Sequence, residues 1–226
     1  MKQYLPHIIT LTSLCVGFLS MVESSKLNLT IASYLIMVAC ILDGLDGFVA
    51  RLLKTESQFG KQLDSFSDLV NFGMAPGFIM YFFINDVLSL QSLTYLSLLI
   101  PVFSTLRLAN YNTQQKMTNN FSGMTTPVSA LIFASIPLIN QYHSHHWVQK
   151  ILVRPEVITS IIVISCLLLI APIKTFGLRL DTIIMDKRKM IFLFISICIL
   201  YIFKYIGILI IILMYILLNV SRIIDK

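Results

Sequence analysis

The sequence predicts an all-α integral membrane protein, a polytopic bundle of about eight transmembrane helices. Of its 226 residues, 57% are hydrophobic and only 12% are charged. The mean hydropathy is +0.83, which is typical of membrane proteins rather than of soluble domains. Apolar runs close to the roughly 20 residues that a membrane span requires recur along the chain. Since no polar stretch is long enough for a separate soluble domain, residues 1–226 are predicted to form one membrane-embedded domain.

The first six apolar runs predict a six-helix core within residues 1–180. We place these helices at residues 6–22, 29–50, 61–83, 90–106, 125–141 and 156–172. The last run covers residues 190–220, and as a single helix it would be roughly 46 Å long, too long for a hydrocarbon core of about 30 Å. We therefore predict a C-terminal hairpin of two helices that turn at residues 204–207, where Lys204 can extend to the lipid headgroups.

The basic residues predict how these helices are oriented. With the N-terminus placed in the cytoplasm, only four of the 17 lysines and arginines fall in outer segments: Lys26, Lys150, Arg154 and Lys204. Basic residues concentrate on the cytoplasmic side of membrane proteins, so this bias supports the orientation. The net charge of +6 therefore indicates orientation and contact with membrane lipids, not binding to nucleic acid.

Four acidic residues border the second and third apolar runs. Asp43, Asp46, Asp64 and Asp68 are four of the eleven acidic residues of the chain. Ionisable side chains in such positions are costly and therefore indicate a functional site. Four carboxylates so close in sequence require a cation between them or a shared proton.

Helical spacing predicts how these carboxylates meet. One face of the second helix carries residues at steps of three, four, seven and eight: Asp43, Asp46, Gly47, Ala50 and Arg51. Asp64 and Asp68 are four residues apart and also share a face, while the polar segment 56–60 suits a turn. The simplest geometry is an antiparallel helix pair with all four carboxylates at one end. Oxygen ligands of this kind suit Mg²⁺, Ca²⁺ or Mn²⁺ rather than zinc.

These residues and two glycines form a motif with fixed gaps. It reads Asp43-x2-Asp46-Gly47-x2-Ala50-Arg51-x8-Gly60-x3-Asp64-x3-Asp68. Gly47 and Gly60 would let a ligand approach the backbone closely, and Arg51 can pair with a phosphate. The motif resembles the whole signature of the CDP-alcohol phosphotransferases. This resemblance implies a reaction in which an alcohol displaces CMP from a CDP-linked lipid and takes over the phosphatidyl group.

The resemblance also implies roles for the motif residues. Its four aspartates are implied to hold one or two Mg²⁺ or Mn²⁺ ions: Asp43, Asp46, Asp64 and Asp68. Asp68 is in addition implied to be the catalytic general base that accepts the proton of the attacking hydroxyl. The CDP nucleotide is implied to bind at five positions: Asp46, Gly47, Ala50, Arg51 and Gly60.

Four segments resemble the phosphatidylserine synthase branch of this family, at residues 64–76, 107–112, 121–127 and 174–179. The branch implies CDP-diacylglycerol as donor and L-serine as acceptor, with phosphatidylserine and CMP as products. An acceptor pocket is implied at four polar residues: Arg107, Asn110, Lys174 and Arg179. We expect Arg107 or a neighbouring amide to bind the serine carboxylate. The family resemblance further implies a homodimer.

The acceptor and the class of protein leave alternatives open. Four residues depart from the branch pattern outside the signature: His7, Ser13, Asn110 and Thr125. The basic residues of the acceptor pocket could also bind glycerol 3-phosphate or inositol phosphate. A cation-coupled membrane transporter is the alternative from another class, although its acidic residues would be expected near the bilayer midplane and within paired repeats.

Overall fold

The computed structural model describes residues 4–114, 123–142, 147–171 and 187–220, and these residues are helical apart from short connections. The helices are α1 Tyr4–Ser25, α2 Leu29–Leu52, α3 Gln58–Asp68, α4 Ala75–Phe82, α5 Gln91–Thr94, α6 Leu99–Gln114, α7 Thr126–Tyr142, α8 Trp147–Leu152, α9 Pro155–Ile170 and α10 Lys187–Val220. Two π-helical segments, Leu69–Met74 and Phe83–Val87, and the 3-10 segment Tyr95–Leu98 continue the chain between them. The predicted all-α fold is confirmed.

Several of these helices have the length and composition of membrane spans. Four stretches are long and apolar enough to cross a membrane: Tyr4–Ser25, Gln58–Val87, Gln91–Thr113 and Met190–Asn219. Helix α2 has 24 residues, and the apolar helices α7 and α9 have 17 and 16. Each helix predicted for the core corresponds to a helical stretch at nearly the predicted position. The polytopic membrane bundle is therefore confirmed.

Small residues let α1 and α2 pack closely along their length. Ser13 and Ser20 of α1 are fully buried, and their hydroxyl groups donate hydrogen bonds to the carbonyl oxygens of Ala39 and Ala32 at 3.0 and 2.8 Å. The two helices are antiparallel, because Ser13 pairs with Ala39 whereas Ser20, later in α1, pairs with Ala32, earlier in α2. Serine and alanine are typical of helix contacts in membranes, where packing and hydrogen bonds replace the hydrophobic driving force.

The third predicted helix is continuous over Gln58–Val87, but it is not uniformly α-helical. Directly after Asp68 the chain winds into the π-helical segment Leu69–Met74, which buries Asn71 and Phe72. This segment packs against α1 and α6. A π-helical turn adds a residue to the helix and is frequent at functional sites, and here it follows the last residue of the acidic motif.

The C-terminal hairpin, α10, consists of two helices that meet at Lys204, where φ is 49° and ψ is −124°. The ring centroids of Phe192 and Tyr215 lie 6.4 Å apart across the two helices. Gly207 approaches the first helix so closely that a Cβ there would lie 2.9 Å from the carbonyl oxygen of Ile199. The prediction of two helices rather than one is therefore confirmed.

The turn of the hairpin lies at the end of the bundle away from the acidic motif. The hydroxyl groups of Tyr205 and Tyr34 are hydrogen-bonded at 2.5 Å, and the Tyr205 ring stacks on Tyr142 with 4.9 Å between centroids. Tyr34 precedes Asp43 by nine residues of α2, which is about 13 Å along a helix. The tyrosine contacts thus join the hairpin to the core opposite the acids.

Candidate active site

The chain reverses direction at residues 53–57, and this turn brings the ends of α2 and α3 together. Ser57 caps α3, because its hydroxyl accepts a hydrogen bond from the Gly60 N–H at 3.0 Å. Both α2 and α3 pack against α1. The site therefore has three helical walls, whereas residue spacing alone predicted two.

Three of the four predicted metal ligands converge at this end. Asp43, Asp64 and Asp68 each offer a carboxylate oxygen, and these oxygens all lie within 4.8 Å of one another. Oδ1 of Asp43 and Oδ1 of Asp68 are buried and have no hydrogen-bond partner in the described ranges. Buried carboxylate oxygens without partners are costly, and hard oxygen donors at this spacing suit Mg²⁺ or Mn²⁺. The residues present thus fit a divalent cation.

Asp46, the fourth predicted ligand, occupies a different position. It is only 4% exposed, and its Oδ2 has no hydrogen-bond partner among the residues that the structure describes. It is not part of the set of three converging carboxylates, but lines the cleft beside them. Its role as a metal ligand stays a prediction.

The cleft next to the carboxylates is lined by all five residues predicted to bind the nucleotide. These five residues are Asp46, Gly47, Ala50, Arg51 and Gly60, and Asp64 of the carboxylate cluster lines the cleft as well. Helix α1 adds Pro6, His7 and Thr10, which lie outside the motif and were not predicted from residue spacing. Lys61 also lines the cleft, which therefore carries two basic side chains of the kind that pairs with phosphate.

The two glycines of the cleft have different surroundings. A Cβ on Gly47 would meet only Nη1 of Arg51, at 3.3 Å. A Cβ on Gly60 would lie 2.9 Å from Cε1 of His7, whose ring also packs edge-on against Phe59 with 5.5 Å between centroids. At Gly47 only the long side chain of Arg51 lies near the backbone, whereas at Gly60 the imidazole of His7 covers it.

Arg107 lies beside the acidic residues and is held from two sides. Its Nη1 donates a hydrogen bond to Oγ1 of Thr126 at 2.9 Å, and its guanidinium lies 5.9 Å from the centroid of the Tyr111 ring. Its guanidinium is near enough to Asp68 for electrostatic attraction, but the two side chains do not form an ion pair within 4.0 Å. Asn110 is exposed on the same helix. Lys174 and Arg179, the other predicted residues of the acceptor pocket, lie outside the described residues.

The segments that resemble the phosphatidylserine synthase branch contact one another in the fold. Nδ2 of Asn112 donates a hydrogen bond to Oγ of Ser65 at 3.0 Å, which joins segment 107–112 to segment 64–76. The bond from Arg107 to Thr126 joins segment 107–112 to segment 121–127. Three segments that are separate in sequence thus form one region around the carboxylates.

Fold and site together define a polytopic membrane protein with a cluster of three carboxylates that fits a divalent cation and an adjoining cleft. The chain belongs to the CDP-alcohol phosphatidyltransferase family, whose model matches residues 3–170. This match confirms the family resemblance that the acidic motif indicated.

Several relatives have names that specify serine. The CDP-diacylglycerol--serine O-phosphatidyltransferase of Helicobacter pylori is 35% identical over 141 residues, which cover 61% of this chain and 59% of that protein. The protein of the same name from Mycobacterium leprae is 37% identical over 154 residues, covering 64% and 50%. The archaetidylserine synthase of Methanothermobacter thermautotrophicus is 34% identical over 142 residues, covering 61% and 59%. The chain thus spans less than two thirds of the length of these relatives.

Proposed function

We propose that this protein transfers the phosphatidyl group of CDP-diacylglycerol to the hydroxyl of L-serine, producing phosphatidylserine and CMP. The observation that carries the proposal is the convergence of three aspartates within 4.8 Å, beside a cleft lined by the nucleotide part of the family motif. The serine acceptor is supported by the names of the relatives and by the contacts between the branch-like segments.

The proposed reaction exchanges one phosphorus–oxygen bond for another. The serine hydroxyl oxygen attacks the phosphorus that carries the diacylglycerol, and the bond from this phosphorus to the CMP phosphate oxygen breaks with its electron pair left on CMP. The hydroxyl proton passes to Asp68, the proposed general base. Asp43, Asp46, Asp64 and Asp68 would hold Mg²⁺ or Mn²⁺, which would supply neutralisation of the pyrophosphate charge and stabilisation of the leaving CMP.

The cleft residues are proposed to hold the CDP moiety. Arg51 and Lys61 would pair with its phosphates, and Gly47 would let the nucleotide lie against the backbone of α2. Correct placement of donor and acceptor supplies much of the rate in phosphoryl transfer, because it replaces a bimolecular encounter with a fixed geometry.

Arg107 is proposed to receive the serine carboxylate, with Asn110, Lys174 and Arg179 as further residues of the acceptor pocket. Its contacts with Thr126 and Tyr111 hold the guanidinium in place beside Asp68, so a carboxylate bound there would bring the serine hydroxyl close to the proposed base. Arg107→Ala should raise the KM for serine while the KM for CDP-diacylglycerol stays unchanged. An unchanged KM for serine would contradict this assignment.

An apolar cavity of about 710 Å³ between α2 and the hairpin is proposed to hold an acyl chain of the donor. Its lining includes Cys40 and Ile41, which lie within one turn of Asp43, and Ser196 of the hairpin. Ser196→Trp should fill the cavity and raise the KM for CDP-diacylglycerol but not for serine. Ile202→Trp is the control, since Ile202 is 68% exposed and does not line the cavity.

The active site is proposed to face the cytoplasm. Support comes from the distribution of basic residues and from the separation between the acidic motif and the hairpin turn at Lys204. A cysteine introduced at Lys204 should react with a membrane-impermeant maleimide in intact cells, and one introduced at Glu56 should react only after the membrane is opened. The reverse pattern would invert the topology. The proposed homodimer should appear as a cross-linked pair in native membranes.

Release of CMP tests the proposed reaction and its acceptor. Purified protein with CDP-diacylglycerol and Mn²⁺ is incubated separately with L-serine, glycerol 3-phosphate and inositol phosphate. We expect release only with serine. Release with another acceptor would retain the reaction and change the substrate. No release with any acceptor, from protein that unfolds cooperatively, would contradict the proposed function and favour the transporter alternative.

A further inference from the structure

A chain of hydrogen bonds connects the two acid-bearing helices through α1. Asn71 of the π-helical segment is fully buried, and its Nδ2 donates to Oγ of Ser13 at 2.8 Å and to Oγ of Ser67 at 3.1 Å. Oγ of Ser13 donates in turn to the carbonyl oxygen of Ala39 in α2 at 3.0 Å. The chain therefore runs from α2 through α1 to the end of α3.

Both ends of this hydrogen-bond chain lie next to carboxylates of the site. Ser67 directly precedes Asp68 in sequence. Ala39 lies four residues before Asp43, so its carbonyl oxygen faces the N–H of Asp43 within the helix. Each end of the chain thus lies within about one helical turn of a carboxylate, so a shift of either end should move a carboxylate.

Close packing fixes Asn71 against α1. A Cβ on Gly17 would lie 1.9 Å from Oδ1 of Asn71 and 3.0 Å from its Cα, so only glycine leaves room for this side chain. Oδ1 of Asn71 has no hydrogen-bond partner within the described part of the chain. An unpaired buried acceptor is costly, and a side chain that only filled space would not carry one. The carboxamide of Asn71 therefore contributes to the structure through the two hydrogen bonds that Nδ2 donates.

We propose that Asn71 and Ser13 are positioning residues that set the distance between Asp43 on α2 and the carboxylates of α3, and thereby the affinity of the site for its divalent cation. This inference rests on the proposed metal site. Neither residue touches the substrates; each acts through the backbone that carries a carboxylate. Loss of either one should weaken cation binding more than it weakens the fold.

Ser20 provides a matched control. Like Ser13 it is fully buried, and it donates a hydrogen bond to a carbonyl oxygen of α2, that of Ala32, at 2.8 Å. Its partner Ala32 lies seven residues further from the acidic end of α2 than Ala39, the partner of Ser13. Ser20 also forms no hydrogen bond with Asn71. Ser13→Ala and Ser20→Ala therefore remove the same kind of bond from the same pair of helices, but only Ser13→Ala breaks the chain to the carboxylates.

The test measures cation binding without activity. Mn²⁺ is titrated into purified protein in detergent, and the midpoint of thermal unfolding is followed for the wild type and each variant, because a cation that binds the folded state raises this midpoint. We expect Ser13→Ala and Asn71→Ala to raise the Mn²⁺ concentration for half-maximal stabilisation at least about tenfold, a difference of about 1.4 kcal/mol. Ser20→Ala should stay within about twofold in this Mn²⁺ concentration, and its cation-free midpoint should fall by less than that of Ser13→Ala, which also loses the bond from Asn71.

Two outcomes would overturn the inference, and Asp43→Asn distinguishes them. If Asp43→Asn abolishes the Mn²⁺ effect while Ser13→Ala and Asn71→Ala respond like Ser20→Ala, the positioning role is wrong and the metal site stands. If Asp43→Asn leaves the Mn²⁺ effect unchanged, the metal site itself is wrong. Should Asn71→Ala fail to fold, the comparison of Ser13→Ala with Ser20→Ala decides the question alone.

Discussion

The contact between His7 and Gly60 allows a quantitative prediction for Gly60→Ala. The new Cβ would lie 2.9 Å from Cε1 of His7 and 3.2 Å from Oγ of Ser57, so the imidazole must move. Overpacking of this kind costs about 1–3 kcal/mol, and alanine in place of a helical glycine returns up to about 1 kcal/mol. Net destabilisation should thus be about 0–2 kcal/mol, or a loss of a few degrees in the unfolding midpoint.

The effect of Gly60→Ala on the donor should exceed its effect on the fold, because the displaced imidazole moves into the cleft. We expect the KM for CDP-diacylglycerol to rise roughly 5–30-fold, which corresponds to about 1–2 kcal/mol. The assay is CMP release over a range of donor concentrations at saturating serine. Gly44→Ala is the control: Gly44 is at a variable position of the motif, and a Cβ there would meet nothing within 4 Å beyond the backbone of its own helix. It should leave the KM unchanged.

The double variant Gly60→Ala/His7→Ala separates two reasons for the glycine. If His7 is what excludes a side chain at residue 60, removing the imidazole should restore most of the donor affinity. If the double variant binds the donor no better than Gly60→Ala does, the nucleotide itself needs the bare backbone and the reasoning from His7 is refuted. An unchanged KM in Gly60→Ala alone would refute both explanations.

Three further predictions follow from other contacts. Tyr34→Phe removes the hydroxyl that is hydrogen-bonded to Tyr205 and should lower the unfolding midpoint, at a cost of about 1 kcal/mol. Tyr95→Phe is the control and should leave the midpoint unchanged, because the Tyr95 side chain is 66% exposed. Equal midpoints for the two variants would contradict the stabilising role of the tyrosine contact. Ser57→Ala removes the cap of α3 and should cost about 1 kcal/mol, while Ser57→Asp should retain the cap and the midpoint. Chelation by EDTA should abolish CMP release, and Mn²⁺ should restore it; activity that persists in EDTA would exclude the proposed cation.

The helices were predictable because their signals are local. Apolar runs of the required length and the concentration of basic residues define the spans, and the length of residues 190–220 together with Lys204 predicts the hairpin. The π-helical turn after Asp68 has no such signal, since residues 69–74 are apolar except for Asn71 and Gly73, and neither residue type specifies a π-helix. Its winding depends on packing against α1 and α6, which are distant in sequence.

The candidate site was predictable only to the extent that its motif is local. Helical spacing placed Asp43, Asp64 and Asp68 at one end, and the structure brings them together. Helical spacing could not assign His7 to the cleft or Ser13 to the hydrogen-bond chain, because both assignments depend on how α1 packs against α2 and α3. The only sequence signal of these roles was that each residue is polar within an apolar run, and this does not indicate which residues it contacts.

Incorporation of isotope-labelled L-serine into lipid tests the central claim most directly. Purified protein in vesicles that contain CDP-diacylglycerol and Mn²⁺ is given labelled serine, and the lipids are analysed by mass spectrometry, with Asp68→Asn run in parallel. We predict labelled phosphatidylserine and an equal amount of CMP from the wild type, and neither from Asp68→Asn. Wild-type protein that binds Mn²⁺ but forms no labelled lipid would contradict serine as the acceptor, and undiminished product from Asp68→Asn would contradict Asp68 as the base.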